Sequence, residues 1–304
     1  KKMIMRIAWG LILSMRPKQW TKNLIIYFAL FFTVGDAWSL ELINGLLPLL
    51  GRSTTAFLIF CVLGGGIYLI NDSRDITEDR NHPEKRNRPI PLGLVSVRIA
   101  WTAAVGLLTV GLGLSFVLEP LFGFVSATYV VLMIAYTVLL KHLIILDVFS
   151  ISGGFIIRAV AGAIAIDVPI SPWLYACTGL GALLIALSKR RTELSLAGGN
   201  AQNQRKILAA YSVRVLDQYI AVTAMSALVA YVVYSFTAPN LPDNHAMMLT
   251  IPFVVFGMFR YIYLVQIQER GENPEDVLLT DVPLLISIVL WLTVSLMVLS
   301  LFRT

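Results

Sequence analysis

The chain has 304 residues, of which 57% are hydrophobic and only 14% charged, with a formal net charge of +6 and a mean hydropathy of +0.77. Soluble domains carry roughly 25% charged and 45–50% apolar residues, so Rossmann-type enzymes, soluble barrels and disordered regulators are excluded. What remains is an all-α polytopic membrane protein, expected to form one domain over residues 1–304.

The N-terminus is basic (Lys1, Lys2, Arg6, Arg16, Lys18, Lys22), and no small-residue cleavage site follows it, so no cleavable signal peptide is expected. Its last part, Arg16-Pro17-Lys18-Gln19-Trp20-Thr21-Lys22-Asn23, is either an ordinary interfacial anchor or a grip on a phosphate headgroup. The apolar runs that follow are too long and too continuous for strands. Only helices or closed barrels cross a bilayer, and a helix needs about 20 apolar residues to do so. Nine spans are predicted, at 23–45, 53–71, 97–118, 121–140, 146–166, 172–188, 215–237, 246–266 and 281–302, the first of them interrupted by Asp36 and Glu41. With nine spans, 21 of the 24 Lys and Arg residues fall on the N-terminal side, which the positive-inside rule makes cytoplasmic. Orientation and anionic lipid headgroups account for the positive charge, so no nucleic-acid partner is expected. Cys61 and Cys177 both lie in apolar runs and read as small buried hydrophobes.

Polar constellations sit where spans meet that side. Span 2 ends in Asn71-Asp72-Ser73-Arg74-Asp75-Ile76-Thr77-Glu78-Asp79. On a continuing helix Asn71, Asp75 and Asp79 share a face and Asp72 joins it. Carboxylates so crowded want a cation among them. Their oxygens suit Mg2+, which bridges carboxylates to substrate phosphates; pairing with the chain's own arginines is the other reading. His82-Pro83-Glu84-Lys85-Arg86-Asn87-Arg88-Pro89-Ile90-Pro91-Leu92-Gly93 follows, where Lys85 and Arg88 can reach back over the acidic face toward a diphosphate. Tyr136 and Lys141 close span 4. Span 5 carries Asp147 and, three turns on, Arg158 beside Gly153 and Gly154; a charge inside a span is a functional hypothesis by default. Span 6 exits in Ser188-Lys189-Arg190-Arg191-Thr192-Glu193 and span 8 in Arg260-Tyr261. These basic groups suit either a stop-transfer signal or a bound phosphate.

The pattern NDxxDxxxD followed by HPxKxxRPIPxG, at the inner end of span 2, resembles the UbiA-type intramembrane prenyltransferase superfamily. The resemblance extends over essentially the whole chain. It implies a nine-helix bundle with a cytoplasm-facing active-site cavity, and Mg2+ held by Asn71, Asp72, Asp75 and Asp79. The family pattern has a second acidic motif after span 6, where this chain has Lys189-Arg190-Arg191-Thr192-Glu193. That departure, with the RPKQWTKN opening and the GGFxxR stretch, resembles the branch that joins 5-phosphoribosyl diphosphate (PRPP) to a polyprenyl monophosphate in the bacterial cell membrane for cell-wall arabinan synthesis. The resemblance implies catalytic roles for Asp75 and Asp79 through the metal, and for Lys85 and Arg88 on the departing pyrophosphate. Lys189, Arg190 and Arg158 are candidates for the ribose 5-phosphate or the lipid phosphate, Lys18 and Lys22 for the lipid phosphate, and Glu193 for ribose hydroxyls. Arg16, Asn23, Tyr136, Lys141 and Arg260 complete the candidate substrate-binding set. The alternatives are a conventional prenyltransferase acting on an aromatic acceptor and a membrane transporter. The glycine-rich faces suit packing within one subunit or between two.

Overall fold

The computed structural model describes residues 2–39, 43–81, 85–169, 172–197, 208, 210–238, 241–271 and 274–302. Helix α1 (Lys2–Ser14) leads into a 3-10 helix (Pro17–Tyr27) and the short α2 (Phe28–Phe32). Then come α3 (Ile43–Arg74), α4 (Ile76–Asn81), α5 (Val97–Leu118), α6 (Pro120–Val138), α7 (Leu146–Ala165), α8 (Pro172–Ala197), α9 (Val213–Thr237), α10 (Ile251–Gln266), α11 (Pro274–Thr280) and α12 (Val282–Phe302).

Local chemistry sets the boundaries. The Ser96 hydroxyl accepts from the Ile99 N–H and starts α5; the Ser212 hydroxyl does the same for Val215 and α9, each satisfying an otherwise orphaned helix-start donor. Pro120 ends α5 by holding Glu119 extended and begins α6, as a proline with no N–H to lose can.

Seven helical stretches among the described residues are long and apolar enough to cross a membrane: Gly45–Arg74, Val97–Leu118, Pro120–Val138, Leu146–Ala165, Val213–Thr237, Ala246–Gln266 and Val282–Phe302. Exposed Val105, Val110, Leu114, Phe124 and Val131 on α5 and α6 suit a hydrocarbon solvent, and the chain is an integral membrane protein.

The other two expected spans take different forms. Span 6 is part of α8, which continues to Ala197 and ends in its charged residues. The stretch 23–45 is not one helix. Its first part is 3-10, and α2 stops at Phe32, where the Thr33 hydroxyl donates to the Ala29 and Leu30 carbonyls and the Trp38 indole N–H donates to Leu30 at 2.8 Å. With helix-end carbonyls taken, Gly35 turns the chain at φ 79°. Eleven residues of 3-10 helix and five of α-helix, at roughly 2.0 and 1.5 Å each, still give about 30 Å, the thickness of a bilayer core. Glu41, the other expected interruption, lies outside the described residues.

Successive helices pack side by side from α3 through α10, with α12 against α10. The 3-10 helix packs against α3 and α7, and Phe31 and Phe32 reach Trp291 and Tyr234 on the far half of the bundle. The N-terminal segment therefore runs along α3 and α7 and meets α9 and α12 through Phe31 and Phe32.

Candidate active site

The acidic motif opens from the end of α3. The Asp75 N–H donates to the Asn71 carbonyl and the Asp79 N–H to Asp75, so the helical path continues nearly unbroken into α4 and keeps Asn71, Asp75 and Asp79 on one side. Asp72 is 1% exposed and Asp79 4%. Arg16, in a left-handed conformation at the head of the 3-10 helix, stacks over Tyr68 and pairs with Asp72. Arg88 lies 3.3 Å from Asp72 and 2.8 Å from Asp79, Lys85 is within electrostatic reach of Asp79, and Lys141 pairs with Asp75. Burial pushes the Asp79 carboxyl above the usual range, against the pull of Arg88. His82, Pro83 and Glu84 lie outside the described residues.

The cations among these carboxylates are thus the protein's own. No three His, Cys, Asp or Glu side chains converge as a metal-ligating group among the described residues, so the expected cage of Asn71, Asp72, Asp75 and Asp79 around one ion is not gathered. The donor chemistry nevertheless fits Mg2+, which commonly takes one or two carboxylates, waters and substrate phosphates. Asp72 Oδ2 is buried with no hydrogen-bond partner, an oxygen with unspent capacity.

A second constellation lies across the turn between α6 and α7. Asp147 is wholly buried, and its Oδ2 accepts from Arg190 Nε at 2.7 Å; Arg190 also reaches Glu193 at 2.6 Å. Tyr211 donates to the other Asp147 oxygen at 3.1 Å, and Tyr136 is within electrostatic reach of Arg190. Lys189 is half-buried beside it. The α6–α7 turn therefore joins the two clusters, with Lys141 bound to Asp75 on one side and Asp147 to Arg190 on the other.

Arg158 is placed differently. It donates to Asn23 Oδ1 at 2.8 Å, the Tyr129 hydroxyl at 2.7 Å and the Gly154 carbonyl at 3.2 Å, and its guanidinium lies over the Tyr129 ring. Asn23 in turn donates to Cys61 at 3.3 Å. As the spacing implied, Asp147 and Arg158 do not meet; each has its own partners. Arg260 pairs with Asp281 through two nitrogens at 2.8 and 3.1 Å, tying α10 to the start of α12. Lys18 is exposed and Lys22 half-buried. Sequence reasoning did not find Tyr68, Tyr129 or Tyr211. The one signal for such partners is that a buried Asp147 or Arg158 demands a polar neighbour, which does not say where along the chain it lies.

The profile of the UbiA prenyltransferase family matches residues 28–277. Decaprenyl-phosphate phosphoribosyltransferase of Mycolicibacterium smegmatis is 34% identical over 93% of this chain and 90% of its own length. The enzyme of the same name from Corynebacterium glutamicum is 30% identical over 94% of this chain and 85% of its own. Among solved structures, a UbiA homolog from Archaeoglobus fulgidus bound to GPP and Mg2+ matches with a TM-score of 0.72 at 16% identity, covering 96% of this chain and 100% of that one. By sequence over most of its length, the chain belongs to the UbiA prenyltransferase family.

Proposed function

We propose that the chain transfers a 5-phosphoribosyl group from PRPP to a polyprenyl phosphate such as decaprenyl phosphate, releasing pyrophosphate, at the Lys/Arg-rich end of the bundle. The C1–oxygen bond to diphosphate breaks and a C1–oxygen bond to the lipid phosphate forms. An attacking phosphate is already anionic near neutral pH, so positioning and charge neutralisation carry the reaction and no strong general base is needed. One or two of Asp72, Asp75 and Asp79, beside Asn71, would hold Mg2+, which when bound neutralises the donor's diphosphate. Arg88 and Lys85 lie against those acids and suit the leaving pyrophosphate, while Lys141 shares Asp75. The exposed Lys18, with Lys22 and Lys189, suits the phosphates of lipid and ribose. Arg190 and Glu193 hold one another and Asp147, Asn23 binds Arg158, and Arg260 binds Asp281, so these act as supports for the groups that touch substrate. The apolar cavity of about 300 Å3 between α8, α9, α10 and α12, walled by Leu184, Tyr231, Tyr261 and Trp291, suits part of an isoprenoid tail.

One observation carries the choice of donor. The end of α8 carries Lys189-Arg190-Arg191 in place of a second acidic motif, which favours one metal–diphosphate site. Arg190 is paired with Asp147 and Glu193 and Arg191 with Asp217, so of the three Lys189 is the one assigned to an anionic substrate. The relatives named above support the same reading. Counting the 3-10/α2 segment and α8 with the seven spans gives nine crossings, and charge asymmetry then makes the active end cytoplasmic in a bacterial cell membrane.

The test is incubation of purified protein with radiolabelled PRPP and polyprenyl phosphate, with and without EDTA. Label enters the lipid phase and EDTA abolishes it. The solved neighbour carrying GPP favours a second reading, prenyl transfer from a prenyl diphosphate; label from that donor in an aromatic product selects it instead.

A further inference from the structure

Ile145 stands at φ 69° and ψ −45°. The Leu146 N–H donates to the Ile144 carbonyl at 2.8 Å, which closes a γ-turn around Ile145. The positive-φ form of this turn is rare and strained, and a β-branched residue at its centre is a true outlier. Such a backbone persists only where its surroundings over-determine it. Packing of the Ile145 side chain is not what holds it, because that side chain is 41% exposed.

What holds it is polar and buried. The Ile145 N–H donates to the Tyr211 hydroxyl at 2.7 Å, and that hydroxyl donates onward to Asp147 Oδ1 at 3.1 Å. Arg190 fixes the second Asp147 oxygen at 2.7 Å. Tyr211 is buried in the apolar cluster that includes Val148, Leu187 and Leu216, and its hydroxyl reaches the turn from there. The same turn carries Lys141, whose Nζ meets Asp75 Oδ1. Lys141 is three residues ahead of the γ-turn's first residue, and a change at Ile145 redirects the chain that presents it.

We infer that Tyr211 is a positioning residue: its hydroxyl locks the strained Ile145 turn and so delivers Lys141 to Asp75 at the donor end of the site. This rests on the assignment of Asp75 to that site. The consequence is that the start of α9, remote in sequence from the acidic motif, sets how that motif is neutralised.

The experiment combines kinetics with backbone exchange. Tyr211→Phe keeps the ring and removes the hydroxyl. It lowers kcat/KM for PRPP about tenfold, chiefly through KM, which corresponds to about 1.4 kcal/mol, and it speeds amide exchange in the peptide spanning residues 143–149. Because Tyr211 acts through Lys141, Tyr211→Phe makes a Lys141→Ala enzyme no slower. Ile145→Gly, which adopts positive φ without strain, restores most of the activity lost in Tyr211→Phe. Wild-type kinetics in Tyr211→Phe, multiplicative losses in the double variant with Lys141→Ala, unchanged amide exchange, or no rescue by Ile145→Gly each overturns the inference. If neither PRPP nor a prenyl diphosphate is turned over, the functional assignment fails, and the exchange rate still decides whether Tyr211 locks the turn.

Discussion

Asp72 is shared between two cations that come from opposite directions in the sequence, Arg16 and Arg88. Removing one partner of a buried ion pair costs about 3–5 kcal/mol. The two arginines are 24% and 28% exposed, which moves the expectation for Asp72→Asn down to about 2 kcal/mol, read as a lower unfolding midpoint in detergent. Turnover falls at least about a hundredfold, the order seen when a preorganised electrostatic group is lost. Retained activity at any Mg2+ concentration would remove Asp72 from the metal assignment. Arg158 gives the opposite signature. Its donors are committed to Asn23, Tyr129 and the Gly154 carbonyl, so Arg158→Ala destabilises by about 2–4 kcal/mol while KM for both substrates stays within about twofold. A KM that rises for one anionic substrate, with folding intact, would assign Arg158 to that substrate. Burial pushes the Tyr211 hydroxyl up to about 12. Its folded pKa lies above the ordinary tyrosine value of about 10. Its contribution is therefore complete below pH 10 and lost as the pH rises toward 12. Unfolding midpoints measured between pH 9 and 12 fall more steeply for the wild type than for Tyr211→Phe.

Among the elements, the 3-10 helix depends on one close approach. A Cβ added at Gly162 would stand 2.2 Å from the backbone oxygen of Ile26, a contact that neither backbone can relieve by rotating a side chain. Gly162→Ala must push the 3-10 helix off α7, and with it Asn23 away from Arg158. It is expected to cost about 1–3 kcal/mol, as overpacking does, and to lower activity. Gly113→Ala on α5 meets nothing within 4 Å and is expected to be neutral or stabilising by up to about 1 kcal/mol. Equal unfolding midpoints for the two variants would refute the close-approach argument. This element also marks where the sequence stopped being legible. Residues 23–45 are apolar enough to read as a span, and Asp36 warned of a break. Nothing local says that the first half is wound as a 3-10 helix, because that winding depends on docking against Gly162, more than a hundred residues away. The long helices α5, α6, α7, α9 and α12 needed no such help, since hydropathy and length alone define them. The acidic motif was legible as a helical face, and Asp75 and Asp79 follow that spacing. Its neutralisation by Arg16, Arg88 and Lys141 was not, because three distant segments supply the cations.

At the scale of the whole molecule, charge is sorted by end. The acidic cluster, its arginines, the α6–α7 turn and the charged end of α8 all gather where α3, α6 and α8 finish and α5, α7 and α9 begin. Helices that alternate in direction bring their odd and even connections to opposite ends, and on the nine-crossing reading proposed above 21 of the 24 Lys and Arg residues fall on one side, an asymmetry that insertion can read. A phosphorylated sugar donor does not cross a bilayer, so the proposed function predicts that the end carrying Asp72, Asp75 and Asp79 opens to the compartment that makes it. Two exposed positions test this. Asn87 lies in the loop between α4 and α5, and Asp243 between α9 and α10. In a Cys61→Ser, Cys177→Ser background, a membrane-impermeant maleimide applied to intact cells should label Asp243→Cys and should reach Asn87→Cys only after permeabilisation. Neither substitution touches a residue placed at the site, so both variants should retain turnover. The reverse labelling pattern would put the acidic cluster outside the cell, where no PRPP is made, and the donor assignment would fall with the topology.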